Sequence, residues 1–157
     1  MMTEKTFSAA VDEWVRATKA RTEATFKRAA EMVAEEILER TPIDTGFLRH
    51  SFQASGTQVP VIRAEAVPSD AARKKARDEK LASYGYEAGP INLIILNIPA
   101  GKPIYFGFVA RYAAAVEFGS EGRPAKGMVR LAAQNWQHIV NAAAAEVKAA
   151  VNSRSSP

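Results

Sequence analysis

The first forty residues carry a regular alternation of apolar and charged positions that is typical of an amphipathic helix. Apolar or small side chains recur at three- and four-residue steps, with acidic and basic residues between them. Neither Gly nor Pro occurs in residues 6–40, and Pro42 disfavours helical geometry at the residue before it. We predict one helix over residues 6–40 that buries a single stripe: Phe7, Val11, Trp14, Val15, Thr18, Thr22, Phe26, Ala29, Val33 and Ile37.

A second periodic pattern lies near the end of the sequence. Residues 128–151 combine apolar positions at helical spacing with consecutive alanines at 142–145, which favour helix and permit close packing. We predict a helix there whose buried face consists of Met128, Leu131, Ala132, Trp136, Ile139, Val140, Ala143, Val147 and Val151. Residues 152–157 are polar and rich in Ser, which predicts a tail.

The middle of the chain, residues 53–118, has the shorter apolar runs that are typical of strands. Apolar and polar side chains alternate in residues 53–67, where Pro60 indicates an edge strand or a bulge. Residues 91–98 are rich in Ile and Leu and predict a central strand. Residues 104–109 predict a second strand, so that the two form a hairpin or part of a meander.

Two middle segments allow more than one structure. The charged segment 68–84 fits either a short helix or a mobile loop, and periodicity does not distinguish a helical turn from a strand in residues 112–118. The order of helix, β-rich middle and helix predicts an α+β fold. In this fold a small, mostly antiparallel sheet is covered by a long N-terminal helix and a C-terminal helix. The length of 157 residues predicts a single domain over residues 1–157.

Composition excludes several kinds of site. The chain has no cysteine, which rules out disulfides, thiolate metal sites and a cysteine nucleophile. The formal charge of +4 and pI near 9.5 are mildly basic and fit either a nucleic-acid surface or an acidic protein partner. No apolar run approaches the ~20 residues of a membrane-spanning helix, and the charged N-terminus does not resemble a signal peptide. We therefore expect no membrane association.

The segment that follows the first predicted helix has the composition of a tight turn. Residues 41–46 read TPIDTG, in which Asp44 can bond backbone amides and Gly46 can adopt positive φ. Phe47, Leu48 and Phe52 are expected to anchor the turn against the core. Arg49 either bonds a carboxylate in its own subunit or crosses to a neighbour, and the nearness of Asp44 favours the first.

Two motifs together carry a family resemblance. Residues 41–51 read TPIDTGFLRHS directly after a long charged helix, and residues 112–120 read YAAAVEFGS, followed by RPA at 123–125 and a closing helix. In this order and spacing the chain resembles small neck and minor tail proteins of tailed phages, the head–tail joining and tail-completion family. The resemblance extends from the first helix to the last.

The resemblance implies a structural role in the virion and no enzymatic activity. Such proteins form rings, commonly hexamers, around the DNA channel between the head connector and the tail tube. The implied partners are other copies of the chain, the connector or stopper, and the tail terminator or tail-tube protein. A tail terminator or another minor tail protein is the alternative within this class, and the expected location is the virion neck, after synthesis in the host cytoplasm.

Residues of the second motif have two possible roles. Ring subunits meet through two different faces, and Tyr112, Glu117, Phe118 and Arg123 can supply an aromatic anchor and a charge pair for one of them. The alternative is that Tyr112 and Phe118 belong to the core and Glu117 caps or pairs within the subunit. Candidate interface residues in the two motifs are Asp44, Thr45, Gly46, Leu48, Arg49, Tyr112, Glu117, Phe118, Gly119, Arg123 and Pro124.

The basic residues Arg73, Lys74, Lys75 and Arg77 allow a contact with nucleic acid. They can touch phosphates in the channel, or dock onto an acidic ring of a partner. A solvated surface segment is favoured over both, because Asp70, Asp78 and Glu79 partly neutralise the stretch. A basic nucleic-acid-binding protein is the alternative from another functional class.

Catalytic and metal chemistry find little support in the sequence. The tripeptide Asp44, Thr45 and Gly46 occurs in retroviral-type aspartic proteases, but there it ends a hydrophobic strand and precedes a small residue, whereas here bulky residues follow it. The two histidines lie far apart, and no nucleotide-binding glycine loop occurs. We expect no metal site and no cofactor.

Overall fold

A computed structural model describes residues 6–155 of the chain. Over these residues the chain forms helices α1 (Phe7–Arg40), α2 (Phe47–His50), α3 (Asp70–Glu79), α4 (Gly89–Asn97), α5 (Ala113–Phe118), α6 (Met128–Gln134) and α7 (Trp136–Ser155), with strands β1 (Phe52–Ser55) and β2 (Tyr105–Phe108). The predicted α+β class is confirmed, because a small antiparallel sheet packs with long N- and C-terminal helices.

Helix α1 ends where the sequence predicts. Its last residue is Arg40, and the backbone N–H of Thr41 closes the helix by donating to the Leu38 carbonyl. The predicted buried stripe is wrong for the N-terminal part, because Phe7, Val11 and Trp14 are 85%, 41% and 68% exposed. The buried residues of α1 all lie in its C-terminal half: Ala29, Ala30, Ala34, Ile37 and Leu38.

The sheet consists of two short strands. Strand β1 pairs antiparallel with β2, with Phe52 opposite Phe108 and Ser55 opposite Tyr105. The predicted strand at 104–109 is therefore confirmed at its centre, but its partner is β1 and not residues 91–98. The strand predicted over residues 53–67 ends at Ser55, and the rest of that segment has no regular strand structure.

The predicted central strand at residues 91–98 is wrong, because this segment is helix α4. Pro90 lies in its first turn, where a missing N–H costs nothing and the fixed φ suits a helix. Ile91, Ile95 and Ile98 are buried at helical spacing, whereas Leu93 and Leu96 are 61% and 54% exposed. A short apolar run does not by itself distinguish a buried strand from a helix, and here Pro90 in the first turn favours the helix.

The two segments for which the sequence allows more than one structure both contain a helix. The charged segment 68–84 contains α3, in which Ser69 caps the first turn and Ala72 and Ala76 face the protein. Residues 112–118 contain α5, which ends before Gly119. The middle of the chain is therefore largely helical, and the predicted β-rich character of residues 53–118 is wrong outside β1 and β2.

The C-terminal helix predicted at residues 128–151 is divided into α6 and α7 at Asn135. The side-chain amide of Asn135 donates to the Glu36 carboxylate at 2.9 Å and so ties the break to α1. Of the predicted tail at 152–157, the residues up to Ser155 continue α7, and residues 156–157 lie outside the described part. Leu131 and Trp136 of the predicted buried face are 38% and 42% exposed.

The core gathers residues from nearly every element. Ile95 and Met128 are completely buried, and Leu48, Phe52 and Phe108 are buried beside them. Helix α7 packs along α1 in a second cluster, in which Ile139 and Ala143 lie against Ala29. The Arg28 guanidinium joins the Glu146 carboxylate at 2.6 Å across that seam. Within residues 6–155 no helix is long and apolar enough to cross a membrane.

Candidate functional site

The turn that follows α1 is held by its own backbone and by a distant segment. The buried hydroxyl of Thr41 donates to the Ile37 carbonyl at 2.7 Å. The Thr45 carbonyl accepts from the N–H groups of Ser83 and Tyr84 at 2.9 and 3.0 Å. Gly46 has φ of 82°, and a Cβ at this position would overlap the Tyr84 carbonyl oxygen. The turn therefore requires glycine at Gly46 and is fixed in shape.

Side chains after the turn point in different directions. Leu48 is buried in the core, as the sequence predicts. The Nε of Arg49 donates to the Thr41 carbonyl at 3.1 Å, so its hydrogen bond lies within the subunit. The prediction that Arg49 bonds the Asp44 carboxylate is wrong, because the described side chains include no ion pair of Arg49 with Asp44 within 4 Å. Arg49 instead closes the turn through a backbone acceptor.

Glu117 organises the start of α6. Its two carboxylate oxygens accept from the N–H groups of Val129 and Arg130 at 2.9 and 3.1 Å, and the residue is buried. A carboxylate on the first N–H groups of a helix satisfies donors that have no partner in the helix and favours the local dipole. The geometry of Glu117 is thus that of a cap within the subunit.

The loop after α5 presents an aromatic side chain to the surface. Gly119 turns the chain with φ of 86°, and Ser120 and Arg123 exchange backbone hydrogen bonds of 3.1 and 2.8 Å. Phe118 is 70% exposed and therefore is not a core residue. The Arg130 guanidinium lies 5.9 Å from the centre of the Phe118 ring, within the range of a cation–π contact.

The two sequence motifs meet at one open depression, which we call the motif recess. Its volume is about 570 Å³. The turn after α1 forms one wall, and α5 with its following loop forms another. The lining residues are Pro42, Ile43, Asp44, Thr45, Gly46, Leu48, Pro68, Arg73, Tyr112, Val116 and Arg123.

Charged and aromatic groups of the motif recess influence one another. Tyr112 is half-buried, and burial raises the pKa of its phenol, with the nearby Asp44 carboxylate acting in the same direction. A hydrogen bond with Thr45 and the charge of Arg73 oppose this rise in the pKa. The recess thus combines two guanidinium groups, of Arg73 and Arg123, with one carboxylate and one phenol. Such a set suits recognition of a protein surface.

The basic residues of α3 differ in their surroundings. Arg73 lines the motif recess, and its guanidinium lies 3.7 Å from the Asp70 carboxylate. Arg77 pairs with Asp78 at 3.0 Å. Lys74 and Lys75 are exposed and line none of the cavities that include Arg73. Of the four basic residues of α3, Arg73 is the one that lines the motif recess.

Sequence reasoning missed part of the motif recess. Pro68 and Val116 line it without having been predicted, and Ile43 adds an apolar rim that is 58% exposed. An isoleucine between Pro42 and Asp44 in an otherwise polar turn is a signal that could have indicated Ile43. Five interface candidates lie outside the recess: Phe118, Gly119 and Pro124 in the adjoining segment, Arg49, and the buried Glu117.

A comparison with models of known protein families identifies one that matches most of the chain. A family model described as "Bacteriophage HK97-gp10, putative tail-component" matches residues 5–119. No curated protein and no solved structure matches the chain. The matched region contains α1, the turn, the sheet and α5, whereas α6 and α7 lie beyond it.

The match covers well over half of the chain, and it includes the first motif and the second motif up to Gly119. It confirms the resemblance to phage tail and neck proteins that the two motifs indicated. The chain belongs to the HK97 gp10-like family of bacteriophage tail components.

Proposed function

We propose that the chain is a tail-completion or head–tail joining subunit that forms a ring at the phage neck. In this role it links the head connector to the tail around the DNA channel and catalyses no reaction. Its partners are further copies of itself, the connector or stopper on one side and the tail terminator or tail-tube protein on the other. Its place is the virion.

The observation that carries this proposal is the meeting of both family motifs at the motif recess. Segments far apart in sequence place Asp44, Tyr112 and Arg123 around one depression that opens to solvent. Glu117 and Arg49 use their hydrogen bonds to hold the walls. A structural protein needs such a rigid, mixed polar and apolar surface for a neighbouring subunit.

The position of the motif recess supports a ring. Helix α1 has 34 residues and is therefore about 50 Å long. The recess lies just after its C-terminal end, and the exposed residues Phe7 and Trp14 lie towards its N-terminal end. Two different surfaces at opposite ends of one subunit suit head-to-tail contacts, which close into rings when the rotation allows.

The first test is the mass of the assembled protein. Mass photometry or light scattering after size exclusion would measure the chain alone and with candidate connector, terminator and tail-tube proteins. We expect a closed ring, alone or after a partner is added. Binding to the tail-tube end alone would support the tail-terminator alternative. A chain that stays monomeric with every virion partner would contradict the neck role.

A substitution in the motif recess tests the surface itself. Arg123→Glu reverses a charge that lines the recess, and Arg63→Glu makes the same change at an exposed position outside it. We expect Arg123→Glu to weaken assembly at least about tenfold, the effect of roughly 1.4 kcal/mol, and Arg63→Glu to leave it unchanged. Equal behaviour of the two variants would remove the recess from the interface.

A further inference from the structure

The N-terminal part of α1 contains no buried residue. We call residues 7–17 the arm. Helix α7 reaches α1 near Arg21 and Thr25, which line a shallow cleft together with residues of its last turns. Further towards its N-terminus, α1 presents Phe7, Val11 and Trp14 to solvent. These side chains are spaced by four and three residues and so share one face of the helix.

A complementary surface lies further along the same helix. We call it the groove, and it runs between residues 18–26 of α1 and the turn at 100–103, with a volume of about 850 Å³. Phe26 and Pro103 contribute apolar surface, and Lys19 and Lys102 stand at its edge. The acid at this edge, Glu23, is already paired with Lys27 at 2.8 Å. The groove is therefore mostly apolar, and its lining carries two lysines against one acid that is already paired.

We propose that the groove of one subunit receives the arm of a second copy of this chain. This inference rests on the proposed ring, because it names one of the contacts that would build it. Helices that bind in grooves use apolar anchors spaced like Phe7, Val11 and Trp14, and buried tryptophans often dominate such contacts. The arm of the same subunit cannot enter this groove, because α1 is one continuous helix, so an arm that fills the groove comes from a second copy.

Length and charge agree with this assignment. From Phe7 to Trp14 the arm spans about 10 Å, and from Thr18 to Phe26 the groove spans about 12 Å, at the helical rise of roughly 1.5 Å per residue. The arm carries two acids, Asp12 and Glu13, and one base, Arg16, and so has one net negative charge. This charge complements the groove, whose lining includes Lys19 and Lys102 against the one acid Glu23.

Tryptophan fluorescence of the full chain reports the contact directly. The chain contains two tryptophans, Trp14 and Trp136. In a Trp136→Phe variant, the emission comes from Trp14 alone, which is 68% exposed in the single subunit. We expect this emission to shift to the blue as the concentration rises and copies associate. Association without any shift would show that the arm stays in water and would overturn the assignment.

Paired variants test both sides of the contact. Trp14→Asp damages the arm and leaves the groove intact, and Ala100→Glu damages the groove and leaves the arm intact. We expect each variant alone to lose self-association at least about thirtyfold, and an equimolar mixture to regain a pair through its one intact contact. Val61→Asp is the control, because Val61 is 68% exposed, as Trp14 is.

The outcomes separate this inference from the proposed function. If Trp14→Asp forms rings like the unchanged chain, the arm contact is wrong and the neck role stands. If the unchanged chain stops at two copies while the Trp14 emission of the Trp136→Phe variant shifts to the blue, the arm contact is supported and the ring is contradicted. If the mixture of variants fails to pair although each keeps its helical circular dichroism, the arm and the groove are not partners.

Discussion

Gly46 shows how one residue fixes the shape of the candidate site. Its φ of 82° lies in the left-handed region, and the Tyr84 carbonyl oxygen occupies the space that a side chain would need. The sequence indicated the turn and the glycine correctly, because Pro, Asp and Gly have strong local preferences. It could not indicate Tyr84 as the neighbour, because that contact depends on the path of a distant segment.

We expect Gly46→Ala to lower the free energy of unfolding by about 3 kcal/mol, since backbone strain adds to a clash that only movement of the chain relieves. Gly122→Ala is the matched control, because Gly122 has φ of 73° with open space around it. The Gly122→Ala variant should lose only the free energy of backbone strain, about 1 kcal/mol. Urea denaturation of both variants measures the difference, and equal losses would show that the Tyr84 contact is unimportant.

At the scale of elements, α1 is joined to the α6–α7 break by a charged cluster. The Glu36 carboxylate accepts from the Asn135 amide at 2.9 Å and from the Arg40 guanidinium at 2.6 Å. These bonds, the one from Asn135 foremost, lower the pKa of Glu36 from its ordinary value of 4.5. A group whose pKa is lower in the folded state stabilises the fold above the unfolded pKa and loses that contribution as pH falls.

The unfolding free energy should therefore decrease as pH falls below 4.5, the ordinary pKa of the Glu36 carboxyl group. In a Glu36→Gln variant this part of the decrease should disappear, and stability near neutral pH should be lower. Glu121→Gln, at an exposed loop position, is the control. Denaturation curves between about pH 3 and 7 measure the slopes. A Glu36→Gln slope equal to that of the unchanged chain would contradict the prediction.

Elements differed in how well the sequence predicted them. Helix α1 and the strand β2 were recognised because long periodicity and β-rich composition are local signals. The sequence predicts a strand where helix α4 forms, because nine residues with apolar side chains on all sides carry no clear period. The convergence of Tyr112 and Arg73 at the motif recess depends on tertiary packing. No spacing rule along the chain reports it.

At the scale of the whole molecule, the mild positive charge raises the question of contact with DNA. Lys74 and Lys75 are the exposed basic residues of α3 that no described ion pair neutralises within 4 Å. We expect the double substitution Lys74→Glu and Lys75→Glu to leave ring assembly unchanged. Filter binding of duplex DNA at several salt concentrations measures the other function. If the unchanged chain binds DNA in a salt-sensitive way and the double variant assembles normally but loses that binding, the nucleic-acid-binding alternative is favoured.

The seam between α1 and α7 has fewer buried residues than the main core, and this has a consequence for how the molecule opens. Ala29 meets Ile139 and Ala143 there, whereas the main core holds Ile95, Met128 and several aromatic rings. This seam has three buried residues, two of them alanines, and so it removes less apolar surface from water and contributes less free energy than the main core. Segments with the fewest buried apolar groups open first in the native state. Amide protons of α7 should therefore exchange with solvent before those of α4 and β2, through a local opening that leaves the rest of the subunit folded.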